Sequence, residues 1–327
     1  MTKQAELTKE VSLKFSFFTL VFIFVVVLFH SDFRYFYPII EDLTHVSTSY
    51  FFCVSAFFFY RGLNDDNINS RLKRRCKTLL LPYILWNFLY MIPNLMASPF
   101  SVSNVIRGIT VAPFCTPSWY LLTLFIFFLF APLINQILRK KHLTILLLCV
   151  GIAISYLGYI RFQQELALVP FVGGYLIRMV EYLTPFLFGA VIGTWFHQKL
   201  YVSWKKGIIG IISSGVMLLL LFSNIPLAMR WLLWVVLPIA IWNAIPEGIF
   251  KHVRFLHLAT NPAFTINMTH CYFLIVCKTI LAKTELFTGK YLSALCVIFT
   301  VFASYLVYYL LKKFLPNTLK HLTGNRT

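Results

Sequence analysis

Residues Leu13–His30 read LKFSFFTLVFIFVVVLFH, apolar almost throughout after Lys14 and closed by a histidine. Coiled as a helix, the stretch rises about 25 Å, which nearly crosses a hydrocarbon core about 30 Å thick. Lys14 and His30 are its only ionisable groups. An imidazole set inside a membrane helix is costly and is therefore a candidate for function. An imidazole that merely ends the helix, in the headgroup zone, needs no such explanation. Position alone leaves both readings open.

The rest of the chain extends the pattern. Of its 327 residues, 59% are hydrophobic and 12% charged, and the mean hydropathy is +0.77. A water-soluble domain of this length could not hide so much apolar surface. The composition therefore predicts an all-α, polytopic membrane helix bundle in one unit. The formal net charge of +18 does not point to nucleic acid, because the basic residues sit in loops between apolar runs. There they act as topology signals and as contacts to anionic lipid heads. The seven cysteines form no CxxC pair and lie mostly in apolar runs, so neither a disulfide framework nor a metal motif is indicated. Lysines before the first apolar run imitate a signal peptide, but the run is too long for one and further spans follow. It reads as an uncleaved first helix.

Ten candidate spans follow from the apolar runs: Leu13–His30, Val46–Tyr60, Thr78–Met96, Ser118–Leu138, Leu143–Ile160, Tyr182–Phe196, Gly207–Phe222, Leu227–Ile245, Pro262–Leu281 and Tyr291–Leu311. The second and sixth are short enough to need an extension into the polar residues before them. With a cytoplasmic N-terminus, this division puts 21 of the 29 Lys and Arg on the inside and 8 on the outside, as the positive-inside rule requires. Losing or merging one span would scramble that bias, so about ten helices with both termini cytoplasmic are expected. The outer stretches 97–117 and 161–181 carry Pro or Gly with aromatics and could cap a cavity. No internal repeat of the transporter kind is visible.

Several chemistries are excluded by missing patterns. No His is followed by Glu, so there is no HExxH site; there is no G-x-x-x-x-G-K loop and no G-x-S-x-G elbow. The strongest positive signal is Arg71–Asn87, RLKRRCKTLLLPYILWN, where a basic loop runs directly into a helix with Pro82, Tyr83, Trp86 and Asn87 near its start. This stretch resembles the basic loop and PY-x-x-W segment of the acyltransferase-3 membrane proteins, which O-acetylate surface polysaccharides. Phe51–Tyr60 (FFCVSAFFFY), Pro117–Ile134 (PSWYLLTLFIFFLFAPLI) and Phe264–His270 (FTINMTH) are similar to other helices of that family, in the same order. The first helix, ending in His30-Ser31, resembles the family's first helix. The chain departs from the family pattern in four places. Thr19 stands where an arginine usually precedes the histidine, and His45 where an arginine often precedes the second helix. Ala56 replaces a glycine and Asn267 a tyrosine.

The resemblance implies a single integral-membrane acyltransferase-like domain over 1–327, in a bacterial inner (cytoplasmic) membrane. It implies acetyl-CoA as acyl donor, a lipid-linked or surface glycan as acceptor, and His30 as general base. Arg71, Arg74 and Arg75 would hold the phosphates of coenzyme A; the plain alternative is positive-inside charge in contact with lipid. His45, Trp119, Tyr120 and His270 are candidates for substrate contact. Against that, His45 suits an outer interface, Trp119 and Tyr120 suit an aromatic belt, and His270 could simply bond a neighbouring carbonyl. Arg178 and Glu181, at i and i+3, are expected to pair. A rival reading, favoured by Thr19, is a carrier of a lipid-linked or small anionic molecule without chemistry. Reporter fusions in the loops bearing Cys76 and Cys115 should report the inside and the outside respectively; the same side for both would overturn the ten-span topology.

Overall fold

The computed structural model describes residues 8–97, 101–110, 113–169, 173–196, 200, 202–252, 262–282 and 289–324. Of the basic residues used for topology, Lys3, Lys199, Lys283, Arg254 and Arg326 lie outside them, as do parts of both outer stretches. The described residues are helical, with no strand among them. The helices are α1 (Lys9–His30), α2 (Phe33–Phe36), α3 (Ile39–Tyr60), α4 (Asp65–Arg75), α5 (Leu81–Ala97), α6 (Val102–Thr110), α7 (Trp119–Leu129) and α8 (Ala131–Leu138). They continue with α9 (Lys141–Ser155), α10 (Gln163–Ala167), α11 (Gly173–Val191), α12 (Trp204–Phe222), α13 (Leu227–Ala244), α14 (Ala263–Ala282), α15 (Gly289–Phe314) and α16 (Pro316–Thr323).

The all-α polytopic fold is as expected; the predicted spans fall on helical residues, one of them on two helices. Among the described residues seven helices are long and apolar enough to cross a membrane, or eight if a bent pair is one span. That pair is α7 and α8, which meet at 57° within the single predicted span Ser118–Leu138. Pro132 explains the bend: it lacks an N–H, and its ring crowds the carbonyl four residues back. α3 falls short because its first half carries Glu41, Asp42, Thr44 and His45. α5 has 17 residues and continues directly from a wide turn over Cys76–Leu80. The two short spans do extend backwards, to Ile39 and to Gly173. Many apolar side chains face outward, such as Ile209, Leu219, Ile298 and Phe302, as lipid contact requires.

The chain forms two compact units. The first is Met1–Gly62 with Gly189–Tyr305. In it α1 packs on α3 and α14, and α13 packs on α3 and α12. Ile23, Val27, Ala263, Ile266 and Val297 form one buried cluster. Close approach of the end of α11 to α3 depends on two glycines four residues apart, hence on one helix face. A Cβ on Gly189 would collide with the Cys53 carbonyl, and one on Gly193 would come within 2.6 Å of the Phe57 carbonyl oxygen.

The second unit is Leu63–Phe188 with Leu306–Thr327. Phe127 packs on Phe186 at 4.8 Å between ring centroids, and the Thr184 hydroxyl bonds the Ser155 hydroxyl at 2.8 Å. The PY-x-x-WN segment is its hub. Tyr83 meets the Tyr175 hydroxyl at 3.1 Å, and Trp86 Nε1 donates to the Leu322 carbonyl at 3.0 Å. Asn87, 1% exposed, donates to the Tyr83 carbonyl and to Ser118 Oγ, each at 2.8 Å, and accepts the Cys115 amide at 3.1 Å. Gly324, at φ +62°, caps α16 against the Thr78 carbonyl, where any Cβ would clash.

Among the described residues, four ion pairs join segments far apart in sequence: Lys14–Glu247, Asp65–Arg139, Asp42–Arg230 and Asp32–Lys278. In the ten-span alternation the first two pairs join inside segments and the last two join outside segments. A pair linking opposite faces would contradict that alternation, and none of the four does. The Arg139 hydrogen bond holds the exposed Asp65 carboxyl below the usual carboxylate range. Lys14 is a core residue. Its Nζ donates to Glu247 Oε1 at 2.8 Å, with both side chains at 0% exposure, and lies 4.3 Å from the Trp242 ring centre. The other Glu247 oxygen accepts the Val202 amide at 2.6 Å. Removing one partner of a buried pair strands the other charge, at a cost of about 3–5 kcal/mol. Lys14→Met should therefore lower the unfolding temperature of the solubilised protein sharply, and Glu247→Gln added to it should restore much of the loss. A single variant as stable as the parent would show the pair to be dispensable.

Candidate active site

His30 ends α1. Ser31 caps the helix, its amide bonding the Val27 and Leu28 carbonyls at 3.0 and 3.2 Å, and Asp32 follows in the left-handed region at φ 74°. The chain thus turns away immediately after the imidazole and leaves it at a helix end, half-buried. His270 projects from α14, and the two rings lie 5.0 Å apart between centroids. Two of the sequence candidates therefore meet, from stretches 240 residues apart in a chain of 327.

His270 is fully buried. Its Nδ1 lies 2.8 Å from the Asn267 carbonyl oxygen and 3.2 Å from that of Ile266. A carbonyl can only accept, so Nδ1 carries the proton. In the neutral ring Nε2 then keeps its lone pair, and it lies 3.4 Å from Cys271 Sγ. The carbonyl bond is the one that His270 was expected to make as a structural residue; the neighbouring His30 is what that reading does not explain.

Two cations act on the imidazole. Lys278, on the same helix as His270, pairs with Asp32, and Arg34 lies with its guanidinium 4.5 Å over the Phe29 ring. Both act electrostatically on His30. Thr19, the place of the family's arginine, is instead a hydrogen-bond partner of Tyr50. Lys278 and Cys271 were not singled out by sequence reasoning. Their seven-residue spacing puts them on one line of a helix, but only the structure brings that line to the end of α1.

The remaining candidates lie elsewhere. His45 belongs to a separate cluster of the first unit: its ring stacks on Trp234 at 4.0 Å. Trp234 Nε1 donates to Asp42 at 2.8 Å, and Arg230 reaches the other Asp42 oxygen at 3.3 Å. Trp119, Tyr120 and the basic helix belong to the second unit. Trp119 stacks on Tyr182 at 5.8 Å and carries the Arg178 guanidinium 5.2 Å from its ring centre, with Tyr120 edge-on at 6.4 Å. Arg178 pairs with Glu181 at 2.9 Å, as its spacing predicted.

Arg71, Arg74 and Arg75 fill the last turns of α4. An Asn64–Asn67 capping box starts that helix, with Asp65 and Asp66 in its first turn. Acidic residues at the start and basic ones at the end both suit the helix dipole. Arg75 packs 4.8 Å over Phe128, and Arg74 is exposed. Partial burial, and then the charge of Arg74, push the Arg71 guanidinium below its ordinary pKa. It stays charged at neutral pH, so an anion bound there would offset the mutual repulsion.

The family model described as "Acyltransferase domain", that of acyltransferase-3 proteins, matches residues 20–246. The chain belongs to the acyltransferase-3 family. It is therefore an integral-membrane protein of an acyltransferase family, and the match includes His30, His45, the basic helix, Trp119 and Tyr120. It begins one residue after Thr19 and ends before His270 and Cys271. No curated protein and no solved structure matches the chain.

Proposed function

We propose that this acyltransferase-3 chain moves an acetyl or short acyl group from cytoplasmic acyl-CoA to a hydroxyl of a lipid-linked or surface glycan, in a bacterial inner membrane. His30 is the general base. The observation that carries the reading is the position of His30: a partly accessible imidazole ending the first helix, held beside His270 in the same unit.

The His30 lone pair takes the proton of the acceptor hydroxyl as its oxygen attacks the thioester carbonyl. The tetrahedral oxyanion then collapses, the carbon–sulfur bond breaks, and coenzyme A leaves as a thiolate that takes up a proton. A developing oxyanion needs a preorganised positive charge. Thr19 cannot supply one; Arg34 acts electrostatically on His30, whereas Lys278 is already paired with Asp32. Arg71, Arg74 and Arg75 bind the donor's phosphates, for which guanidinium groups are suited. Trp119, Tyr120 and His45 are the proposed contacts to the acceptor, since an aromatic face can pack on a sugar ring.

The absence of a cation at Thr19 favours a second reading, a carrier on the same fold. Membranes incubated with labelled acetyl-CoA separate the two: transfer of label into a glycan or lipid fraction supports the enzyme, and its absence at normal protein levels supports the carrier. His30→Gln keeps hydrogen bonding but cannot accept the proton, so its turnover should fall by roughly 10²–10⁴-fold at equal membrane levels. A variant with most of the parent's activity would remove His30 as base. Changing Arg71, Arg74 and Arg75 together to Gln should raise the KM for acetyl-CoA; an unchanged KM would leave these residues only their topological role.

A further inference from the structure

His30, His270 and Cys271 present three ligand atoms, two imidazole nitrogens and a thiol sulfur, all within 4.8 Å of one another. We propose that they form a three-ligand site for a borderline-soft divalent cation of the zinc type. The inference shares His30 with the acyl-transfer reading but does not rest on it.

Donor chemistry is the first support. Imidazole and thiolate together suit zinc, and neither suits magnesium or calcium. Orientation is the second. Metal-binding histidines donate their other ring N–H to a carbonyl or carboxylate, which fixes the tautomer and aims the lone pair. His270 already does so, with Nδ1 held by the Asn267 and Ile266 carbonyls. Its Nε2 lies 3.4 Å from Cys271 Sγ. Two ligands of one tetrahedral zinc, at about 2.1 and 2.3 Å from the metal, sit roughly 3.5 Å apart, so this half of the site already has the spacing of a ligand pair. The His30 ring must swing in by about 1 Å, and it closes α1 at a turn, half-buried rather than locked in the core.

Access is the third support. His270 is buried, whereas His30 closes α1 at its end and is, like Cys271, only partly buried. Of the two cations that act on His30, Lys278 is paired with Asp32, and the thiol gives up its proton on binding. No spacing motif announces the set, because His30 comes from α1 and the other two from α14.

Bound zinc would occupy the lone pair that the acceptor hydroxyl needs, so metal and acyl transfer are mutually exclusive. The test uses the purified, metal-free full chain in detergent. Zn²⁺ is titrated against a chromophoric chelator, and Co²⁺ is added separately to look for a thiolate-to-cobalt charge-transfer band. The expected result is one ion per chain and a band that disappears in Cys271→Ser. Zinc affinity should fall in Cys271→Ser and in His30→Ala by more than the roughly 10–100-fold that losing an outer partner costs. Cys296→Ser, with its thiol elsewhere in the core, should bind as the parent does. No stoichiometric zinc, or binding unchanged in both Cys271→Ser and His30→Ala, overturns the site. Binding is read without turnover: zinc held by a chain that never transfers acyl groups would overturn the proposed activity alone, and transfer without zinc binding would overturn the metal site alone.

Discussion

A charge inside a membrane protein must find its counter-charge, because no water is present to solvate it. Lys14 and Glu247 meet that requirement completely. Both are fully buried, and Glu247 also takes the Val202 amide. One contact therefore fixes the start of α1 to two stretches that follow α11 and α13. At the other end of the same helix, the Asp32–Lys278 pair ties the turn after His30 to α14. α1 is held at both ends by charge and along its length by Ile23 and Val27. The position of His30 follows from that clamping.

Much of this was legible beforehand. Long apolar runs broken by basic loops leave little choice but helices, and the ion pairs respect the sides that those loops assign. The bend at Phe130 was encoded in Pro132, although a hydropathy reading runs straight through it. Lys14 is buried, although a lysine beside an apolar run usually belongs to the interface. Its partner, 233 residues away, left no local trace. The same limit applies to the site. His30 and His270 could each be singled out, yet nothing in their own stretches shows that they touch, or that Cys271 and Lys278 accompany them. Gly189 and Gly193 were likewise invisible as contacts until α3 was placed against them.

The family-like PY-x-x-WN segment carries a different lesson. Sequence reading connected it with the basic cluster, and thus with the donor. In the structure Tyr83, Trp86 and Asn87 spend their polar atoms on Tyr175, Leu322, Ser118 and Cys115. These residues build the unit that presents the basic helix. The guanidinium groups ahead of them are the ones left half in water, where an anionic ligand can reach them.

Trp86 and Leu322 also set an order of events during synthesis. They are 236 residues apart, and Gly324 must reach Thr78 from equally far along the chain. The helix that receives this latch is made and inserted long before the latch exists. Until then Trp86 Nε1 lacks its carbonyl acceptor, and the wide turn at Cys76–Leu80 lacks its cover. The second unit can therefore close only after almost everything else has entered the bilayer, and the first cannot close until α13 brings Glu247 to Lys14. Neither half matures while the ribosome is still working through the middle of the chain.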